Sequence, residues 1–374
     1  MKFVDEYRKF SIIKLISEKI YSECSRDWAI MEVCGGQTHT IMKYGLEELL
    51  PESIRILHGP GCPVCVTPAE IIDKAISLAL RDNIILATYG DMVRVPGTER
   101  DLMYAKAEGA DVRIIYSPLE AVKIAEKEKV KQVVLFAIGF ETTAPANGQT
   151  VVYAKKKNIK NYFLLSSHML ILPALEKILG AQGCAVQGLL APGHVCTITG
   201  YGGFVRLSEK YQLPVSVTGF EPADILQGIL FTVEMLEKNR CEVVNQYSRS
   251  VKQKGNYISQ KIIEDVFETE DKEWRGIGKV LKSGLSLKEE YSAFNAEKVF
   301  DIRVFSENKR KQINKEKCMA GEILQGQKKP NECRAFGSLC TPLNPLGAPM
   351  VSSEGACAAY YKYKKCETSE IKAK

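Results

Sequence analysis

Short apolar runs, each ending in glycine and polar residues, recur along the first two thirds of the chain. Ala29 to Val33 runs into Cys34-Gly35-Gly36-Gln37-Thr38-His39, and Ile54 to Leu57 runs into His58-Gly59-Pro60-Gly61-Cys62-Pro63-Val64-Cys65. Ile84 to Thr88 leads to Gly90-Asp91. Apolar positions at helical spacing lie between these runs, as from Pro68 to Arg81. Short strands alternating with helices predict parallel βαβ units. The series then repeats. Val133 to Ile138 runs into Gly139-Phe140-Glu141-Thr142-Thr143, Val186 to Leu190 into Pro192-Gly193-His194-Val195-Cys196, and Val215 to Thr218 into Gly219-Phe220-Glu221-Pro222.

The pattern predicts an α/β protein with two similar tandem parallel-sheet domains facing a cleft, at 25–117 and 118–239. An amphipathic helix within 1–24 precedes them. Residues 240–374 form a C-terminal domain, charged and mostly helical from Tyr257 to Phe305, then loop-rich with Pro330, Pro342, Pro345 and Pro349. Every glycine motif directly follows a strand. In open parallel sheets ligands bind beyond the carboxyl ends of the strands, and glycine there lets the backbone turn tightly and approach a ligand.

Composition narrows the class. A net charge of +6 over 374 residues argues neither for nor against nucleic acid, and no nucleic-acid partner is expected. The runs Lys155-Lys156-Lys157 and Lys309-Arg310-Lys311 read as solvated faces. No stretch has the roughly 18 to 20 apolar residues of a membrane span. The N-terminus lacks the features of a signal peptide, so a cytoplasmic location is expected.

The chain holds 12 cysteines, which in a reducing compartment point to metal or redox chemistry rather than structural disulfides. Cys24, Cys184 and Cys241 read as small buried hydrophobes. Cys318, Cys333, Cys340 and Cys357 are separated by fourteen, six and sixteen residues. Four thiolates are the usual complement of a cubane cluster. Zinc also accepts four, but its structural sites usually use close C-x₂₋₄-C steps. The segment has little apolar material, so a cluster would supply its cross-links. Cys366 lies beyond the set, as a spare thiol or a substitute ligand.

Cys62-Pro63-Val64-Cys65 is a CxxC step after a strand, readable as a redox dithiol or as two metal ligands. A helix beginning just after Pro68 would favour thiolate there, and Gly59-Pro60-Gly61 is expected to expose the backbone. Cys34 and His39 share a glycine-rich loop, as nucleophile and base, as two ligands to a soft metal, or as parts of an ordinary turn. The hydroxyls after Glu141 either cap the next helix or serve the cleft. His194 either points to the same cleft, as its position suggests, or is a packed loop histidine, whereas His58 and His168 read as packed histidines. There is no Walker loop, no GxGxxG and no CxxxCxxC, which weighs against nucleotide-driven and radical chemistry.

Taken together and in order, these motifs closely resemble those of the HypD family of hydrogenase maturation proteins. The carrying residues are Cys34 to His39, Gly59 to Cys65, Gly139 to Thr143, Pro192 to Val195 and the C-terminal cysteine set. The resemblance implies a scaffold and redox factor for assembling the Fe(CN)₂CO centre of nickel–iron hydrogenases. It implies a small HypC-type chaperone that holds iron together with this chain, and a HypE-type partner that delivers cyanide. It further implies a [4Fe-4S] cluster on Cys318, Cys333, Cys340 and Cys357. Cys34, His39, Cys62 and Cys65 would handle the iron being assembled, transiently bearing cyanide and carbon monoxide, with Cys62/Cys65 as ligands or as a disulfide. Cys196 stands where this family is expected to carry a small hydroxyl residue, and it is not counted as a ligand. The rivals are a free-standing iron–sulfur thiol–disulfide oxidoreductase acting on a small substrate, and a non-catalytic zinc module.

Overall fold

The structure, a computed structural model, describes residues 4–302 and 318–370, except for the side chains of 365–370. Lys309-Arg310-Lys311 and the Cys366 side chain lie outside the described residues. The first α-helix, Phe10–Glu23, buries Ile13, Ser17 and Ile20. These positions recur every three to four residues and so form one stripe. The stripe packs on the helix Pro222–Glu237, with Lys19 Nζ 2.9 Å from Glu234 at the rim.

Eleven strands among the described residues form two sheets. β1 (Trp28–Glu32), β2 (Ile54–His58), β7 (Gly188–Pro192), β8 (Val215–Thr218) and β9 (Val243–Asn245) make one parallel sheet, ordered β2-β1-β7-β8-β9. The other is ordered β10-β11-β6-β5-β3-β4, from β3 (Ile84–Thr88), β4 (Asp111–Ile114), β5 (Gln132–Gly139), β6 (Tyr162–Met169), β10 (Phe267–Trp274) and β11 (Gly278–Leu287). β3 to β6 run parallel, and the β10–β11 hairpin joins β6 antiparallel. β3 and β7 are buried at every position, as continuous apolar runs covered on both faces should be.

The α/β class and the two parallel-sheet units are as expected from the pattern. Their division along the chain differs. After β2 the chain leaves the first sheet, builds β3 to β6, and returns, so that β1 pairs with β7. The expected boundary near Ser117 therefore falls between β4 and β5 of one sheet. Pairing is chosen by which apolar faces can be covered together, not by order alone. One hydrophobic core accordingly includes Met31 and Leu189 of the first sheet with Val134 and Phe136 of the second.

The expected helical stretch, described as far as residue 302, opens with a helix, Tyr257–Val266, but then forms the hairpin rather than further long helices. In Phe267–Trp274 only the two end residues are buried. Charged side chains between them suit an outermost strand, where they block pairing with another chain.

Candidate functional site

β1 lies between β2 and β7, so the chain departs in opposite directions on either side of it. A crevice at the carboxyl ends of the strands is expected at such a switch point. Cys34 lies there, preceding the helix Gly35–Lys43. Gln37 of that helix donates to Ala191 O (3.2 Å) and to Thr218 Oγ1 (2.5 Å), tying it to the ends of β7 and β8.

The Gly59-Pro60-Gly61 turn is buried, not exposed. Its glycines serve close approach: a Cβ on Gly61 would overlap the Cys34 backbone nitrogen, and Gly35 N–H donates to Gly61 O at 3.0 Å. Cys34 and the Cys62-Pro63-Val64-Cys65 step, far apart in sequence, are thus neighbours. Cys62 and Cys65 are 3% and 1% exposed, which shields the pair from casual oxidants. Cys65 N–H donates to Cys62 Sγ at 3.3 Å. The expected thiolate at this step is not favoured. Burial, the hydrogen bond and charge of Cys62, and the nearby Cys357 and Glu354 all push the Cys65 thiol well up. Neither the helix Ala69–Ala79, which begins just after Pro68 as expected, nor the four-residue turn Pro63–Val66 offsets that desolvation. Burial also pushes Cys34 up to about 12, helped by Glu354 and Glu32 and opposed by the N–H groups of Gly36 and Gln37.

Beneath these thiols lies a buried polar network. Glu32 and His58 are register partners at the ends of β1 and β2, and His58 Nδ1 lies 2.7 Å from Glu32 Oε1. Glu32 also accepts from Thr38 Oγ1 (2.5 Å) and from the Cys34 N–H (3.0 Å). His58 Nε2 pairs with the Tyr360 hydroxyl at 3.1 Å. His58 is a packed histidine, as anticipated, and so is His168, which bonds Asn147 and Ser166 and is held near 3 by burial.

His39 is not joined to Cys34. Its Nδ1 lies 3.2 Å from Ser353 O and its Nε2 3.3 Å from Tyr363 Oη. The carbonyl requires Nδ1–H, Nε2 pairs with the phenol hydroxyl, and both ring nitrogens are engaged. Among the described residues no three His, Cys, Asp or Glu side chains gather to hold one ion. Cys34, His39, Cys62 and Cys65 are therefore not one preformed ligand set. His194 stacks on Phe220 at 3.7 Å between ring centroids, and Phe220 lies against Gly36, which brings His194 to the Cys34 loop.

The second sheet contributes Glu141. Its Oε1 accepts from Ile171 N–H at 3.0 Å, while Oε2 is buried without a partner. Burial raises it to about 7 despite two backbone hydrogen bonds. Cys196 is fully buried, and its thiol is pushed up by burial, Glu141 and Cys34. The next helix, Ala144–Lys156, has no side-chain cap, and Thr143 Oγ1 returns instead to Phe140 O at 3.3 Å.

Cys318, Cys333, Cys340 and Cys357 line one cavity of about 320 Å³, its mouth included, with Ile323, Phe336 and Met350. Burial raises Cys318, Cys340 and Cys357, and the neighbouring thiols add repulsion. Cys340 Sγ accepts from Leu346 N–H at 3.4 Å. A Cβ on Gly347 would come within 2.6 Å of Cys318 Sγ, so only glycine lets the backbone pass there. The cavity adjoins the dithiol: Pro63–Val66 packs on the turn Ala348–Met350, and Cys357 acts on Cys65.

Residues between cavity and dithiol carry groups that no sequence motif marked. Glu354 lies against Gly35, its Cβ 2.5 Å from where a Gly35 Cβ would be. Its charge bears on both Cys34 and Cys65. Ser352 Oγ donates to Asp91 at 2.9 Å, which brings the Gly90-Asp91 motif to the same place. The only sequence signal for Glu354 is its position three residues before Cys357.

The family model described as "HypD: Hydrogenase formation hypA family" matches residues 11–364. The chain is 44% identical over 373 residues to a hydrogenase maturation factor HypD2 of Bradyrhizobium diazoefficiens, covering 97% of each. It is 40% identical over 376 residues to the hydrogenase maturation factor HypD of Escherichia coli, covering 98% of this chain and 100% of that protein. With the Cys34 loop, the buried dithiol and the four-cysteine cavity in one array, the chain belongs to the HypD family.

Proposed function

We propose that the protein is a scaffold and redox factor in hydrogenase maturation, acting where the Fe(CN)₂CO centre is assembled. Cys34 would hold the iron being built together with a HypC-type chaperone, and a HypE-type partner would deliver cyanide. The observation that carries this reading is the packing of Cys34 and the Cys62/Cys65 dithiol beside a second, four-thiol cavity.

The four-cysteine cavity fits a [4Fe-4S] cluster. Its thiols repel one another, it is largely apolar, and a backbone N–H reaches Cys340 Sγ. The four thiols share one lining, the complement of a cubane cluster, and none of their spacings is the close C-x₂₋₄-C step usual for structural zinc. When bound, such a cluster supplies single electrons at low potential. Cyanide leaving a thiocyanate-type donor needs two electrons as the S–C bond breaks. The Cys62/Cys65 dithiol would furnish them: both thiols lose hydrogen, the disulfide bond forms, the donor sulfur becomes a thiol, and cyanide passes to iron with release of a proton. Burial of both cysteines keeps this exchange from stray oxidants. The raised Cys34 thiol calls for a cation to ionise it, which ferrous iron provides.

The test is anaerobic co-purification with candidate partners, followed by infrared spectroscopy for iron-bound cyanide and carbon monoxide. Cys34→Ala is expected to abolish iron capture, and Cys62→Ala or Cys65→Ala to block ligand transfer. Mass spectrometry after a mild oxidant should locate a Cys62–Cys65 bridge. A bridge from Cys34 to either cysteine would overturn the division of labour.

A further inference from the structure

We propose that Arg275 is a positioning residue for electron exchange: the β10–β11 turn seats it between the segments that carry the Cys62/Cys65 dithiol and Cys318, where its positive charge favours reduction of the cluster. The inference rests on the reading above that the cavity holds a cluster.

The turn Trp274–Gly278 is wedged between three functional segments. Trp274 is fully buried, donates from Nε1 to Ser283 Oγ at 2.8 Å, and stacks on Phe140 of the Gly139-to-Thr143 motif with ring centroids 6.0 Å apart. The backbone N–H of Arg275 donates to Val66 O at 2.8 Å, directly after Cys65. Gln325 Nε2 donates to Gly276 O at 2.9 Å, and a Cβ on Gly276 would come 2.8 Å from Gly321 Cα, three residues past Cys318. The turn thus bolts the dithiol to the cluster segment. The Arg275 side chain donates from Nη2 to Pro96 O at 2.5 Å, which aims it. Its charge is felt by Cys318, Asp73 and Cys65, and although burial lowers its pKa to about 10 it stays protonated at neutral pH.

Reduction of a thiolate-bound cluster adds one negative charge without requiring a proton. A fixed cation beside it therefore favours the reduced form, and in a desolvated setting that preference is large. The electron comes from outside: a low-potential electron-carrier protein in the cell, dithionite in the test. Asp73, whose Oδ1 accepts from the Thr98 N–H at 2.8 Å, carries a negative charge that bears on Arg275 and opposes it.

The experiment is a redox titration of the anaerobic, cluster-loaded full chain, read by absorbance and electron paramagnetic resonance. Arg275→Gln should lower the reduction equilibrium at least tenfold, a shift of about 59 mV for one electron. Arg275→Lys should retain most of the wild-type value, and Asp73→Asn should shift it the opposite way. A merely structural role would not give shifts of opposite sign. Equal potentials in Arg275→Lys and Arg275→Gln, at wild-type iron content, would overturn the inference. If Arg275→Gln does not load, an Asp73→Asn variant that fails to rise overturns it as well. A wild-type chain without iron–sulfur absorbance would instead sink the preceding reading.

Discussion

The two sets of thiols are placed by different means. Cys34, Cys62 and Cys65 follow the paired strands β1 and β2, and their neighbours Val33, Val64 and Val66 belong to the large core shared by both sheets. Cys318, Cys333, Cys340 and Cys357 sit among short turns, on a satellite core whose buried members among the described residues are Ile323, Ala335, Cys340, Met350, Ala356 and Cys357. Two of those six are the thiols themselves. Backbone register can hold the first set without metal, whereas the second lacks the apolar burial to hold itself.

The largest expected effect lies in the second region. Replacing any one of Cys318, Cys333, Cys340 or Cys357 by Ala should remove most of the protein's iron, measured by metal analysis and absorbance. It should also speed protease cleavage after residue 318 while leaving the sheets intact. Cys366→Ala should retain iron: the helix Ala356–Glu370 carries residue 366 about 14 Å along its axis from Cys357. A cluster-free protein as protease-resistant as the loaded one would erase the contrast between the regions.

In the first region the sensitive point is the network under the thiols. His58→Ala strips Glu32 of one partner and leaves a cavity, costing about 3 kcal/mol of stability in urea unfolding. Iron bound at the C-terminal cavity should change little. Loss of that iron with unchanged sheet stability would reverse the assignment of His58 to the sheet region.

A smaller effect belongs to Glu141. Its carboxyl titrates near 7 in the fold against 4.5 ordinarily, so the folded state keeps its proton longer than the unfolded one. Stability is then full below about pH 4.5 and falls as pH rises toward 7. The loss between pH 5 and 8 is on the order of 2 to 3 kcal/mol. Glu141→Gln should flatten that part of the pH profile, as followed by denaturant midpoints. An unchanged slope would show that Oε2 finds a partner in solution.

Much of the site was legible because it is written locally. Apolar runs ending in glycine located strands and the loops beyond them, and cysteine spacing marked the cavity thiols. Glu32, Glu354 and Arg275 carried no such mark. Glu32 is the last residue of an otherwise apolar strand, and its meaning appears only when β2 supplies His58 alongside. Arg275 lies in the stretch that reads as charged and mostly helical. It joins the proposed site only because the hairpin folds back on Val66 and Gly321. His39 was drawn to Cys34 by proximity in sequence, yet the helix between them turns it toward Ser353 and Tyr363.

The sequence by itself determined six of the parallel strands, β1, β2, β3, β5, β7 and β8, that glycine- and cysteine-bearing loops follow their carboxyl ends, and which cysteines line the C-terminal cavity. These rest on local rules: hydrophobic period, glycine in tight turns, and thiol count. Only the tertiary structure decided that β1 pairs with β7 across more than half of the first sheet's span of chain. It alone seated the Gly59-Pro60-Gly61 turn on Cys34 and packed the dithiol against the four-cysteine cavity. Those contacts join residues separated by tens to hundreds of positions. They are selected by the burial of whole faces and the satisfaction of buried polar groups, which no short stretch of sequence encodes.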